Sequence, residues 1–206
     1  MKLFYSPNAC SLAPHIVLRE LGFAFELIKV DLHQHLTEKG EDFYQLNKKG
    51  QVPLLQLDNG SLLTEGAVIS QFLVDQSSRK DLLAEINTAD RYETLSWMNF
   101  IASEIHKAYS PFFNDSYNEQ FKSVYSIILN KHYSQIDEQL KGQNYLTGSN
   151  FTIADIYLFV VTRWADFIGL DLKHFMHLAS FMQRIAERQT VQDAIAAESP
   201  CYERKL

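Results

Sequence analysis

Cysteine is scarce in this chain. Cys10 and Cys201 are its only two, and they stand far apart in 206 residues. That excludes a disulfide framework and makes a reducing compartment the default. Cys10-Ser11-Leu12-Ala13 lacks the second cysteine of a Cys-x-x-Cys motif, so Cys10 cannot close a disulfide of its own. Positive charge is in deficit as well: 19 Lys and Arg against 25 Asp and Glu leave a net charge of −6. Such a balance gives no footprint for nucleic acid or an anionic membrane. No run of about twenty apolar residues occurs, so no membrane span is expected. Nor does a basic region with a long apolar stretch open the chain, and the expectation is a cytoplasmic protein. Also missing are a phosphate loop, a dinucleotide fingerprint and any close set of metal ligands, His33 with His35 being too little. Neither a metal nor a permanently bound cofactor is expected. No internal repeat or low-complexity tract is present.

Hydrophobic content of 46% and charged content of 21% are ordinary for a globular protein, and the length suits one large domain or two small ones. The opening, Met1 to Leu21, organises the rest. Leu3-Phe4-Tyr5 suits a buried strand, Ser6-Pro7-Asn8 breaks it, and Leu12, Ile16 and Leu21 recur at helical spacing until Gly22. Cys10 thus lies where a strand hands over to a helix, at the positive end of the macrodipole. A thiolate is stabilised there, and the expectation is an acidic thiol. The same stretch also fits a buried, inert cysteine.

Phe25 to Leu32 predicts a second strand, completing a βαβ unit with a parallel pair. A polar stretch from His33 to Asp42 follows, with a short helix around Phe43–Leu46. Gln51–Leu57 and Ser61–Leu63 flank Asp58-Asn59-Gly60, a strong hairpin signal. Thr64-Glu65-Gly66 leads into a helix carried by Val68, Ile69, Phe72 and Leu73. The order βαβ–α–ββ–α describes a thioredoxin-like α/β domain over residues 1–80. Ser77 to Asn87 is polar and aperiodic, which places the boundary there.

Residues 87–206 read as an all-helical domain. Thr88 caps a helix with Leu95, Met98, Ala102 and Ile105 toward the core. Phe121, Val124, Tyr125, Ile128, Leu129, Ile136 and Leu140 mark the next. Phe151-Thr152-Ile153-Ala154-Asp155-Ile156 has the form of a capping box with a hydrophobic staple. The uncharged run Ile156–Thr162 predicts the buried central helix. Leu178, Phe181, Met182 and Ile185 predict a further helix, and Thr190 with Asp193 a cap for the last.

Three separated pieces suit one ligand. Cys10 is a monothiol able to exchange with an external thiol. Val52-Pro53 reads as an edge-strand proline with a trans bond, or, in a thioredoxin-like domain, as a cis bond that turns Val52 toward an extended peptide. Glu65-Gly66, at a helix start, offers a carboxylate to an ammonium and free amides to a carboxylate; Glu65 also fits a plain first-turn acid. Asn99, Ser103 and His106 form a polar stripe beside the core face of the helix after Thr88. His106 and Lys107 supply positive charge to a thiolate or a ligand carboxylate, although His106 alone also fits a structural histidine. Tyr109, Phe112, Phe113 and Trp164 suit either an apolar wall or the core.

Over essentially its whole length the chain resembles the glutathione S-transferases, and specifically the bacterial beta class. The segments that carry this are MKLFYSPNACSLAPHIVLRE, NKKGQVPLLQLDNGSLLTEGAVI, SEIHK and FTIADIYLF, in that order and spacing. The resemblance implies a thioredoxin-like N-terminal domain, an all-α C-terminal domain forming the electrophile site, and a homodimer. It implies that Cys10 is the active-site cysteine, faced by His106 and Lys107. Val52, before Pro53, would pair with the cysteinyl backbone of glutathione, and Glu65 and Gly66 would hold its γ-glutamyl end. Asn99, Ser103 and Glu104 match positions that complete the site. Many relatives carry serine where Gly66 stands, and often lysine where His35 stands, so the grip of His35 on the glycine carboxylate is expected to be weaker and pH-dependent.

The activity implied is conjugation of glutathione, as co-substrate, to small hydrophobic electrophiles in detoxification. One alternative is a glutathione-dependent thiol–disulfide exchanger or peroxidase acting through Cys10. Another, from a different class, is a non-enzymatic transcription-associated adaptor of the same fold. Cys10, Glu65 and His106 favour the enzyme.

Overall fold

The structure is a computed structural model and describes residues 1–199; Cys201 lies outside the described residues. Two compact units form. One comprises Met1–Arg79 together with the chain from Arg188, the other Lys80–Glu187.

The first unit is built on a five-stranded sheet of order β3-β2-β1-β4-β5. β1 (Lys2–Tyr5) pairs in parallel with β2 (Glu26–Asp31), Leu3 opposite Leu27, and the crossover is α1 (Leu12–Glu20). The chain then adds β3 (Leu36–Thr37) antiparallel to β2, a two-residue edge strand inside a stretch whose polarity conceals it. β4 (Leu54–Gln56) runs antiparallel to β1, and β5 (Leu62–Thr64) pairs with β4. The Asp58-Asn59-Gly60 turn joins them: Gly60 takes φ +84°, the left-handed region open to glycine, and Asn59 accepts from the Ser61 N–H at 2.9 Å. α2 (Gly66–Asp75) packs beside α1. Its expected apolar face is partly turned out, since Ile69 and Leu73 are fully buried but Val68 is exposed.

In the second unit Leu82 and Leu83, inside the expected linker, are fully buried, and the Leu82 carbonyl accepts from the Ile153 N–H at 3.0 Å. Thr88 caps α3 (Ala89–Phe100) by accepting from the Arg91 N–H at 3.3 Å. The helix then widens into a π turn over Ile101–His106, followed by α4 (Lys107–Tyr109). α5 (Glu119–Gln139) buries Leu129, Tyr133 and Ile136, whereas Phe121 and Val124, expected in the core, are exposed. α6 (Ile153–Thr162) is buried at every position, as its lack of charge requires, and packs between α3 and α8 (Met176–Ala186). The short α7 (Trp164–Phe167) follows α6.

α6 starts with the capping box the sequence predicts. The Asp155 carboxylate accepts from the Thr152 N–H at 2.7 Å and hydroxyl at 2.9 Å, and from the Leu146 N–H at 2.8 Å. Burial pushes the Asp155 carboxyl up to about 6, against the downward pull of these hydrogen bonds.

The last helix, α9 (Gln189–Glu198), packs on α1 within the first unit, although by sequence it falls in 87–206. Two polar clusters tie it there. Arg188 donates to both carboxylate oxygens of Glu20, at 2.9 and 3.1 Å, and the Thr190 hydroxyl donates to Glu20 as well. Thr190 is therefore not the helix cap; that position belongs to Arg188. At the other end Arg19 Nε donates to Nε2 of the fully buried His15 at 2.9 Å. With Nε2 accepting, Nδ1 donates to Glu198 Oε1, also at 2.9 Å.

Candidate functional site

Cys10 sits two residues ahead of α1, in a loop closed by the fully buried Ser11. The Ser11 hydroxyl donates to the Ser6 carbonyl at 3.3 Å and accepts from the Ser6 N–H at 3.2 Å. This fixes the Cys10 backbone, and its thiol donates to the Val52 carbonyl at 3.4 Å. The Val52–Pro53 bond is cis. Cys10 and Val52, 42 residues apart, thus meet directly.

The expected acidity of Cys10 is not what the structure produces. Burial, aided by the negative charge of Glu65, pushes the thiol up to about 12, while hydrogen bonding from the Cys10 and Ser11 backbone pulls it down less. Position at a helix start signals a thiolate; Cys10 is half-buried, and the partial loss of water around its sulfur pushes the other way.

Glu65 takes φ +69°, strained for a residue with a side chain, at the head of α2. Its backbone carbonyl accepts from the Ile69 N–H at 2.9 Å, but its carboxylate caps nothing. It points outward and pairs with Lys49 Nζ at 2.6 Å, with both side chains more than half exposed. A plain helix-capping acid does not have this geometry. An exposed pair of this kind contributes about 0–1 kcal/mol, so Glu65 exchanges partners readily. Beside it, a Cβ on Gly66 would stand 3.5 Å from Pro53 Cγ, an ordinary contact, so space does not force glycine there.

His35 lies elsewhere on the same unit, with φ +54° and its ring 4.4 Å from that of Tyr44. Its Nδ1 is buried without a hydrogen-bond partner. Gly50, at φ +63°, closes over both rings, and a Cβ there would fall 2.7 Å from Tyr44 and 2.9 Å from His35 Nδ1. His35 is therefore packed in place, where a lysine would be extended and mobile.

In the helical unit Asn99 lies in the last turn of α3 and is exposed, and Ser103, Glu104 and His106 fall on the π turn. Turns of this kind recur at functional positions. The Ser103 hydroxyl donates to Glu104 Oε1 at 3.2 Å, and His132 Nε2 lies 3.8 Å from Glu104 Oε2. Lys107 is exposed, whereas His106 is half-buried with Nδ1 2.6 Å from the Tyr157 hydroxyl. Of the four aromatic residues with two possible roles, Tyr109 is core, its hydroxyl 2.8 Å from that of Tyr133. Trp164 is nearly buried, with Phe113 standing edge-on at 5.7 Å and 58% exposed. Tyr157, which stands in an apolar helical run and reads as core from the sequence, supplies the hydroxyl beside His106. Among the described residues no cluster of three or more His, Cys, Asp or Glu is arranged to hold a metal, and no helix is long and apolar enough to cross a membrane.

A thioredoxin-like mixed sheet followed by a helical domain, with a monothiol beside a cis-proline, defines a class of thiol-handling proteins. Comparison narrows it. Residues 9–76 match the family profile "Glutathione S-transferase, N-terminal domain", and residues 100–189 match "Glutathione S-transferase, C-terminal domain". Glutathione S-transferase GstA of Escherichia coli O157:H7 is 49% identical over 198 residues, 96% of this chain and 98% of that protein. Among solved structures, a bacterial beta-class glutathione S-transferase of Sphingomonas chungbukensis is 41% identical with a TM-score of 0.93, covering 97% of this chain and 99% of that one. A sphingomonad glutathione S-transferase complexed with glutathione is likewise 41% identical with a TM-score of 0.93, covering 96% and 98%. The chain belongs to the glutathione S-transferase family, and its close homologues include beta-class enzymes.

Proposed function

We propose that this glutathione S-transferase joins the glutathione thiol to small hydrophobic electrophiles, and that it works as a cytoplasmic homodimer. The glutathione thiol gives up its proton, its sulfur bonds to the electrophilic carbon, and the leaving group departs with the electron pair. The arrangement of Glu65 carries this proposal. Its carboxylate caps nothing on its own helix and pairs with the exposed Lys49, while the α2 backbone begins beside it at Gly66. An α-ammonium meets Glu65 and an α-carboxylate meets the Gly66 N–H, which together specify a γ-glutamyl end. The cysteinyl backbone then runs along Val52, past Cys10, with His35 on the glycine side.

In this scheme Cys10 keeps its proton and is not the nucleophile. A product assay tests the proposal: the protein is incubated with glutathione and, in turn, an aromatic halide, an epoxide, a peroxide and a mixed disulfide. Glutathione thioethers of the halide or epoxide are the expected products. Turnover of the mixed disulfide or peroxide alone would overturn conjugation in favour of exchange through Cys10.

A further inference from the structure

Lys49 and Glu65 lie 16 positions apart in the first unit, and each is carried by a fixed piece of backbone. Glu65 heads α2 at φ +69°. Lys49 lies on the turn before Val52, which the buried Asn47 closes. The Asn47 side-chain amide donates to the Gln51 carbonyl at 2.7 Å, and its oxygen accepts from the Lys49 N–H at 3.1 Å. Across the same turn the Gly50 N–H donates to the Asn47 carbonyl at 2.8 Å. Two anchored segments thus bring Lys49 Nζ to 2.6 Å from Glu65 Oε1.

We propose that Lys49 is the counter-ion that glutathione displaces from Glu65, and that it thereby sets how tightly and how selectively the site takes a ligand ammonium. The inference rests on the reading of Glu65 as the partner of the γ-glutamyl ammonium. Lys49 and that ammonium carry the same charge, and side by side on one carboxylate they repel, so each weakens the hold of the other. Opening the protein pair costs little, because both side chains are more than half exposed and water takes over their contacts. The cost is not zero, since the anchored backbone keeps the two charges within reach. Glutathione carries two carboxylates against one ammonium, so net charge alone makes the loss of a nearby lysine weaken binding. Competition for Glu65 predicts the opposite sign. A ligand without the α-ammonium gains nothing by displacing Lys49, and the pair stays closed against it.

Lys49→Met keeps an unbranched side chain and removes its charge. Titration calorimetry at low ionic strength should find glutathione bound roughly two- to fivefold more tightly than by wild type, the range open to an exposed pair. The gain should shrink as salt is raised to about 0.5 M, because screening weakens such a pair. Glutathione lacking its amino group should be held no more tightly by the variant than by wild type. In a Glu65→Gln background the Lys49→Met change should give no tightening. Lys48→Met removes the same charge one residue away and should not tighten binding either. Weaker or unchanged affinity in Lys49→Met, with Glu65→Gln impaired, would overturn the competition and leave the reading of Glu65 standing. Wild-type affinity in Glu65→Gln would remove that reading, and the role of Lys49 with it.

Discussion

At Cys10 two effects oppose each other, and their sizes decide the outcome. A helix terminus contributes about 0.3–1 kcal/mol to a nearby charge, and up to about 2 in a partly buried setting. Burial moves an ionisable group by as much as 3–5 pH units, at about 1.4 kcal/mol each. Desolvation outweighs the helix terminus and pushes the thiol up to about 12. Iodoacetamide should therefore label Cys10 more slowly than a free cysteine at pH 7, with a rate still climbing above pH 9; rapid labelling at pH 6 would contradict the burial argument. Glu65→Gln removes the charged partner of a ligand ammonium. A charge-assisted hydrogen bond is worth about 1.5–3 kcal/mol, so titration calorimetry should find glutathione bound at least about tenfold more weakly. Unchanged affinity would leave Glu65 as the surface partner of Lys49 alone.

At the scale of elements, local chemistry was legible wherever a few adjacent residues suffice. The Asn59-Gly60 hairpin, the Thr88 cap and the box before α6 are each specified within six residues. What escaped depends on residues far apart in sequence. Thr190 has the right chemistry for a cap, yet its hydroxyl is taken by Glu20, 170 positions away. The π turn has no sequence signature, and it shifts the phase of the helix that carries Ser103, Glu104 and His106. The capping box gives a pH test with a definite sign. The Asp155 carboxyl holds its proton to about pH 6 in the folded protein, against about 3.9 for an unperturbed aspartate. Between those values the folded state binds more protons, so this group makes stability fall as pH rises through that window. In urea unfolding the wild type should lose about 2–3 kcal/mol between pH 4 and pH 6.5 relative to Asp155→Asn. A difference that does not vary with pH would contradict burial of the carboxyl.

For the whole molecule, the alternation of strands and helices followed by helices alone was enough to define the architecture, because each layer has its own hydrophobic period. The placement of α9 in the first unit was not legible, since buried pairs such as His15–Glu198 leave no periodic trace. The candidate site was legible as chemistry, through Cys10, Val52 and Glu65, but not as environment. Burial at Cys10 and the grip of Tyr157 on His106 arise only on folding. As a homodimer the protein should sediment at twice its 23.8 kDa; a persistent single-chain mass at micromolar concentration would contradict that assembly.

The central claim is that glutathione supplies the attacking sulfur and Cys10 does not. Conjugation by Cys10→Ala tests it most directly, with an aromatic halide as electrophile and glutathione affinity measured on the same preparation. The thioether should still form, at a rate within about tenfold of wild type. Conjugation lost with glutathione affinity intact would show that Cys10 takes part directly in the transfer.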